Sequence, residues 1–110
     1  MMDESQYLAL ADKTFRKILD AFDNIDPDQA EAYMAGDVLT IAFANGIRCV
    51  INTQRPVRQV WLASRASAWH FDYNAELDRW VSDKDANEQL FATVREIVLR
   101  EGNVTLALAH

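Results

Sequence analysis

Cysteine is almost missing from this chain of 110 residues: Cys49 stands alone. An intrachain disulfide needs a second cysteine, and a zinc or iron–sulfur site made of thiolates needs several, so this chain can build neither by itself. Cys49 alternates with Ile47 and Ile51, which marks it as a small buried hydrophobe rather than a reactive thiol. Glycine is scarce as well, with three in all, and none forms a G-x-G-x-x-G or Walker pattern. The phosphate cradle of nucleotide enzymes is therefore absent. So are H-E-x-x-H and G-x-S-x-G, and strand alternation sends Cys49 and His70 to opposite faces. Catalysis by this chain is not expected. No apolar run is long enough to span a bilayer, and the acidic, polar N-terminus is not a signal peptide; the expected compartment is the cytoplasm. Basic charge is in deficit, with 11 Lys and Arg against 17 Asp and Glu, a formal net charge of −6. That balance disfavours nucleic acid and anionic membrane as partners. It suits a protein that gathers cations or meets a basic partner.

The length fits one domain, residues 1–110, with a single core, and a chain that is 50% hydrophobic is not expected to be disordered. The spacing predicts a first helix from Glu4 to Phe22, with Ala11, Phe15, Ile18 and Phe22 as its apolar stripe and Tyr7, Leu8 and Leu19 widening it. Asp26-Pro27-Asp28 breaks it. From Asp37 the period falls to two. Leu39, Ile41 and Phe43 form a strand, and Asn45-Gly46 signals a type I′ hairpin. A second strand follows over Ile47 to Asn52. Pro56 marks the next turn, and strands over Gln59–Ala63, Trp69–Tyr73 and around Trp80 and Val81 complete the run. Ser82 or Asp83 reads as the N-cap of a second helix ending near Glu101, where Gly102-Asn103 stops it. The apolar residues from Val104 to Ala109 are expected to fold back as a tail between the helices. Segregated helices and strands predict an α+β two-layer sandwich in the order α-β-β-β-β-β-α. Both helices would cover one face of an antiparallel sheet, leaving the other to water and partners.

Three constellations could carry chemistry. Asp20, Asp23, Asp26, Asp28 and Glu31 cluster at the end of the first helix and in the link beyond it, with Asp12 two turns earlier. Carboxylates are hard oxygen donors suited to hydrated or hard cations such as iron. With no histidine among them, the pattern predicts weak surface coordination at several sites; the alternative is a solvated acidic face. The second constellation is the open sheet face, onto which Asn52, Gln54, Gln59, Trp61, His70 and Asp72 would project. An exposed tryptophan among polar side chains is the pattern of an interface hot spot. Alternatively, Trp61 lies flat on its neighbours and shields the sheet, and Asn52 and Gln54 pin the turn at Pro56. The third is His70, either structural or a nitrogen ligand for metal or haem. The other histidine, His110, is terminal and expected to be mobile.

The segment Asn52 to Ser64 reads NTQRPVRQVWLAS. It matches the frataxin signature N-x-Q-x-P-x-x-Q-[IV]-W-L-[AS]-S at each fixed position. Val38 to Gly46, the His70-Phe71-Asp72 triplet and the late Trp80 add to the match. From about Glu4 to the end of the second helix the chain thus resembles the bacterial frataxin (CyaY) family, and the lack of an Arg-rich leader fits a bacterial form. The resemblance implies the same α-β sandwich. It also implies a small iron-binding protein of iron–sulfur cluster assembly that contacts the cysteine desulfurase and, through it, the scaffold protein. The family role is iron-dependent regulation, with iron donation the competing account. Family iron sites map to Asp20, Asp23, Asp26, Asp28 and Glu31. The family partner surface maps to that acidic ridge and to Asn52, Gln59 and Trp61, with His70 on the same face. The chain departs from the family where Lys13, Arg16 and Lys17 interrupt the first helix, and where Leu19 and Asn24 replace expected carboxylates. Fewer carboxylates mean a lower local negative potential, and hence weaker or fewer iron sites. Two other readings compete: a ferroxidase that stores iron in metal-induced oligomers rather than acting as a monomer, and a haem-binding module on His70 or Cys49.

Overall fold

The computed structural model describes residues 2–109; the expectation for His110 lies outside them. The first helix, α1 (Glu4–Asp20), opens with a reciprocal capping box. The Asp3 carboxylate accepts from the Gln6 backbone N–H and the Gln6 side chain accepts from the Asp3 N–H, so two otherwise orphaned donors are satisfied. Tyr7, Ala11, Phe15 and Ile18 form its buried stripe. Six strands follow: β1 (Ala30–Ala35), β2 (Val38–Phe43), β3 (Arg48–Gln54), β4 (Gln59–Ser64), β5 (Ser67–Asn74) and β6 (Arg79–Ser82). They form one antiparallel sheet in sequence order, a meander. The chain ends with α2 (Leu90–Gly102) and a short tail.

Alternation sorts the sheet into two faces. Leu39, Ile41, Cys49, Ile51, Val60, Leu62 and Phe71 point to the helices and are buried. From α2, Leu90, Val94, Ile97 and Val98 meet them, and the tail contributes Val104, Leu106 and Leu108 to the same core. Trp80 of β6 is tied to α1, its indole N–H donating to Thr14 Oγ1 at 2.9 Å. The other sheet face is covered by neither helix. The two-layer α+β sandwich follows directly from the segregated periodicities.

Four details depart from the sequence reading. The sheet has six strands, not five: Ala30–Ala35 is a strand, and Glu31 lies in it rather than in the link. Apart from Tyr33 the segment has weak strand formers, and what holds it is pairing with β2 across Gly36-Asp37. Gly36 adopts φ +62 there, the first-position pattern of a two-residue hairpin turn. Second, Asn45-Gly46 is not a type I′ turn. Only Gly46 has positive φ, and the Gly46 N–H donates to the Phe43 carbonyl at 3.0 Å. This is a type I turn closed by a left-handed glycine. Third, α2 starts at Leu90, not after Ser82 or Asp83. Ser82 belongs to β6, its N–H bonded to the Glu88 carbonyl, and the Asp83 N–H donates to the His70 carbonyl. Strand pairing and an Asx turn at Asp85, which accepts from the Asn87 N–H at 2.9 Å, outcompete the helix start. Fourth, α1 ends at Asp20, with Phe22 buried in the turns beyond.

Candidate functional site

The open face of the sheet carries a connected cluster. Strand register places Asn52, Trp61 and His70 side by side across β3, β4 and β5. The neighbouring row is Gln54, Gln59, Asp72 and Val81. The Trp61 and His70 rings stack, with centroids 4.3 Å apart and planes 20° from parallel. Gln59 organises the polar groups. Its Oε1 accepts the Trp61 indole N–H at 2.9 Å, and its Nε2 donates to Asp72 Oδ1 at 3.1 Å and to Asp83 Oδ2 at 3.2 Å. His70 Nδ1 lies 3.6 Å from the same Asp83 carboxylate, an ion-pair distance when the ring is protonated. Trp61 is therefore neither free in water nor core. It is half-buried, laid on His70 and steered by Gln59.

The backbone beneath this cluster is pinned from the core side. The buried Tyr7 of α1 donates its hydroxyl proton to the Gln59 carbonyl at 2.5 Å and accepts from the Gln54 N–H at 3.0 Å. Burial pushes the Tyr7 phenol upward, against the lowering pull of the Gln54 N–H and of Arg55 and Arg58. The two bonds close the β3–β4 connection, a single 3-10 turn at Arg55–Val57 followed by Arg58 in the left-handed region at φ 54. Asn52 stays on the open face, its amide donating to the Thr53 carbonyl at 3.2 Å. Neither Asn52 nor Gln54 pins the turn with its side chain; the Gln54 backbone does. Cys49 is fully buried on the helix side, and burial pushes its thiol up to about 12.

Asp12, Asp20, Asp23, Asp26, Asp28 and Glu31 are all exposed. Asp20 ends α1, and Asp23, Asp26 and Asp28 lie in the turns beyond it. Asp26 uses one carboxylate oxygen to accept the Asp28 N–H at 2.9 Å. Asp23 and Glu31 line one shallow cleft of about 260 Å³ together with Leu19, Phe22 and Ile25. Among the described residues no three His, Cys, Asp or Glu side chains converge on one point suited to an ion. Asp12 is held by Arg16 in an exposed pair at 2.8 Å.

A model of the frataxin-like domain family matches residues 1–103. The chain belongs to the frataxin-like family. A relative from Pseudomonas fluorescens Pf-5, named iron-sulfur cluster assembly protein CyaY, is 39% identical over 105 residues, covering 96% of this chain and 94% of the relative. The frataxin of Psychromonas ingrahamii superposes with a TM-score of 0.89 at 26% identity, over 99% of this chain and all of that one. A trimeric yeast frataxin from Saccharomyces cerevisiae, complexed with ferrous iron, shares the fold at a TM-score of 0.60 and 24% identity, over 94% and 89% of the two chains.

In this frataxin-like chain the open-face residues named from the sequence come together; the five acids lie along an edge without converging. Two members of the cluster escape a reading by spacing. Asp83 looks like a helix cap, and only the pairing of β5 with β6 brings it to Gln59 and His70. Tyr7 looks like one more residue of the apolar stripe, and its role follows from a hydrogen bond across 52 positions. No helix among the described residues is long and apolar enough to cross a membrane.

Proposed function

We propose that this chain regulates iron–sulfur cluster assembly in the cytoplasm and has no turnover of its own. In this reading it docks on the cysteine desulfurase and its scaffold through the open sheet face and the acidic edge, and it holds iron weakly on that edge. The carrying observation is the Trp61–His70–Gln59 cluster, a preorganised aromatic platform on a sheet face that no helix covers, in a chain whose relatives are named as iron–sulfur cluster assembly proteins. Exposed carboxylates without a converging site fit transient iron with retained waters better than a closed centre. Shared use of those carboxylates by iron and by a basic partner would make the regulation iron-dependent. The chain's net charge of −6 supports such a basic partner and speeds its encounter.

The test is the rate of cluster formation by purified desulfurase and scaffold across Fe²⁺ concentrations, with and without this protein. The expected outcome is a rate change whose size depends on iron. An unchanged rate at every iron level, with no complex formed with the desulfurase, would overturn the reading.

A further inference from the structure

Of the three basic residues that interrupt the first helix in the sequence, one engages the acidic side and two do not. Arg16 pairs with Asp12. Lys13 and Lys17, two of the chain's three lysines, instead flank a cavity on the opposite flank of the molecule, between α1, the start of α2 and the β5–β6 turn. Arg79 is the third cation at this cavity. Trp80, Leu90 and Thr14 form its inner side; Trp80 and Leu90 are buried, and Thr14 is fixed by accepting the Trp80 indole N–H. Tyr73 and Phe91 supply aromatic walls, with Lys17 Nζ 5.6 Å from the Phe91 ring centre.

Charge is unbalanced here. Among the described residues no ion pair holds Lys13, Lys17 or Arg79; Arg79 donates to the neutral Gln89 side chain, at 3.4 Å. The one carboxylate lining the cavity, Asp78, is occupied as acceptor of the Tyr73 hydroxyl. The start of α2 has no side-chain cap, which adds the positive end of a helix dipole. Three cations against one engaged carboxylate, in a chain of net charge −6, is a local reversal of sign. Unpaired cations beside aromatic walls select an anion with an apolar body. The cavity measures about 120 Å³, below the roughly 300–1,000 Å³ of drug-sized ligand sites, so the occupant is compact.

We propose that this cavity binds a small aromatic carboxylate, its ring against Tyr73, Trp80 and Phe91 and its carboxylate between Lys13, Lys17 and Arg79. The site is separate from the open face and stands or falls independently of the assembly role.

Benzoate is the probe, titrated into ¹⁵N-labelled protein, with the assigned Trp80 indole N–H and the Leu90 and Phe91 amides as reporters. Saturable shifts confined to these signals are expected. Benzyl alcohol, which keeps the ring and loses the charge, and inorganic phosphate, which keeps charge and loses the ring, should each bind at least about tenfold more weakly. Both lysines are exposed, so Lys13→Gln with Lys17→Gln should leave the melting temperature unchanged and weaken benzoate by about the same factor. The proposal is overturned if benzoate gives no saturable shift at these reporters, if the double variant binds it as well as the parent, or if either comparison ligand matches it.

Discussion

At the scale of single residues, Trp61 and Tyr7 show how differently two aromatic side chains carry information. Trp61 is legible from spacing: alternation with Val60 and Leu62 puts it on the open face, and the structure agrees. Its contacts are not legible, because the His70 stack depends on β4–β5 register and the indole bond on the rotamer of Gln59. Trp61→Ala should fold, losing only those two contacts, while weakening desulfurase capture by about 2 kcal/mol or more, as for a central interface aromatic. A calorimetric binding curve together with a thermal melt measures both. Tyr7 reads as core and is core, yet its hydroxyl serves two backbone groups at once. Tyr7→Phe keeps the ring and strands the Gln54 N–H and the Gln59 carbonyl, so urea unfolding should show a loss of about 1–3 kcal/mol. A loss near zero would mean that water replaces the hydroxyl. No pattern of apolar spacing distinguishes this tyrosine from a phenylalanine.

Among elements, the helices and the four strands of clear alternation are set by local sequence, whereas the ends of elements are set by tertiary partners. The β1 segment, poor in branched residues, is a strand because β2 lies beside it; Asp83 is not a cap because β5 claims its N–H. Glu101, at the end of α2, shows such a partner in use. Its carboxylate takes two bonds from the Arg65 guanidinium in the β4–β5 turn, and it accepts from Asn45 in the β2–β3 turn and from Arg100. The Arg65 bond above all holds the Glu101 carboxyl down to about 2, with Asn45 and Arg100 assisting against the raising effect of burial. A folded value below the ordinary 4.5 means the bonds stabilise fully above about pH 4.5, and the contribution is lost as pH falls through about 2. Glu101→Gln should therefore melt a few degrees lower than the parent at neutral pH, and the gap should close on acidification toward pH 2. A gap independent of pH would assign the effect to packing instead.

For the whole molecule, charge separates into regions that a single net value hides. Exposed carboxylates gather at the end of α1 and along the β1 edge, while Lys13, Lys17 and Arg79 collect around one cavity. Because the acids do not converge, Fe²⁺ titrated calorimetrically should bind weakly and without sharp saturation, and the signal should fall as salt screens the edge. Tight, stoichiometric uptake at several sites would show that the carboxylates rearrange around the metal. The acidic run is plain in the sequence, and so is its want of a histidine; how the turns space the carboxylates is a matter of local geometry, which composition does not encode.

The bond between Thr14 and Trp80 has a temporal side. Strands that neighbour one another in sequence can pair as soon as each hairpin leaves the ribosome. The first helix cannot do likewise. The Trp80 indole is made 66 residues after Thr14, so the earliest element synthesised receives its last ties only after Tyr7 has met Gln54 and Gln59. Until β3 and β4 emerge, the stripe of Tyr7, Phe15 and Ile18 stands uncovered on the nascent chain, a hydrophobic surface that a chaperone would meet before the sheet does.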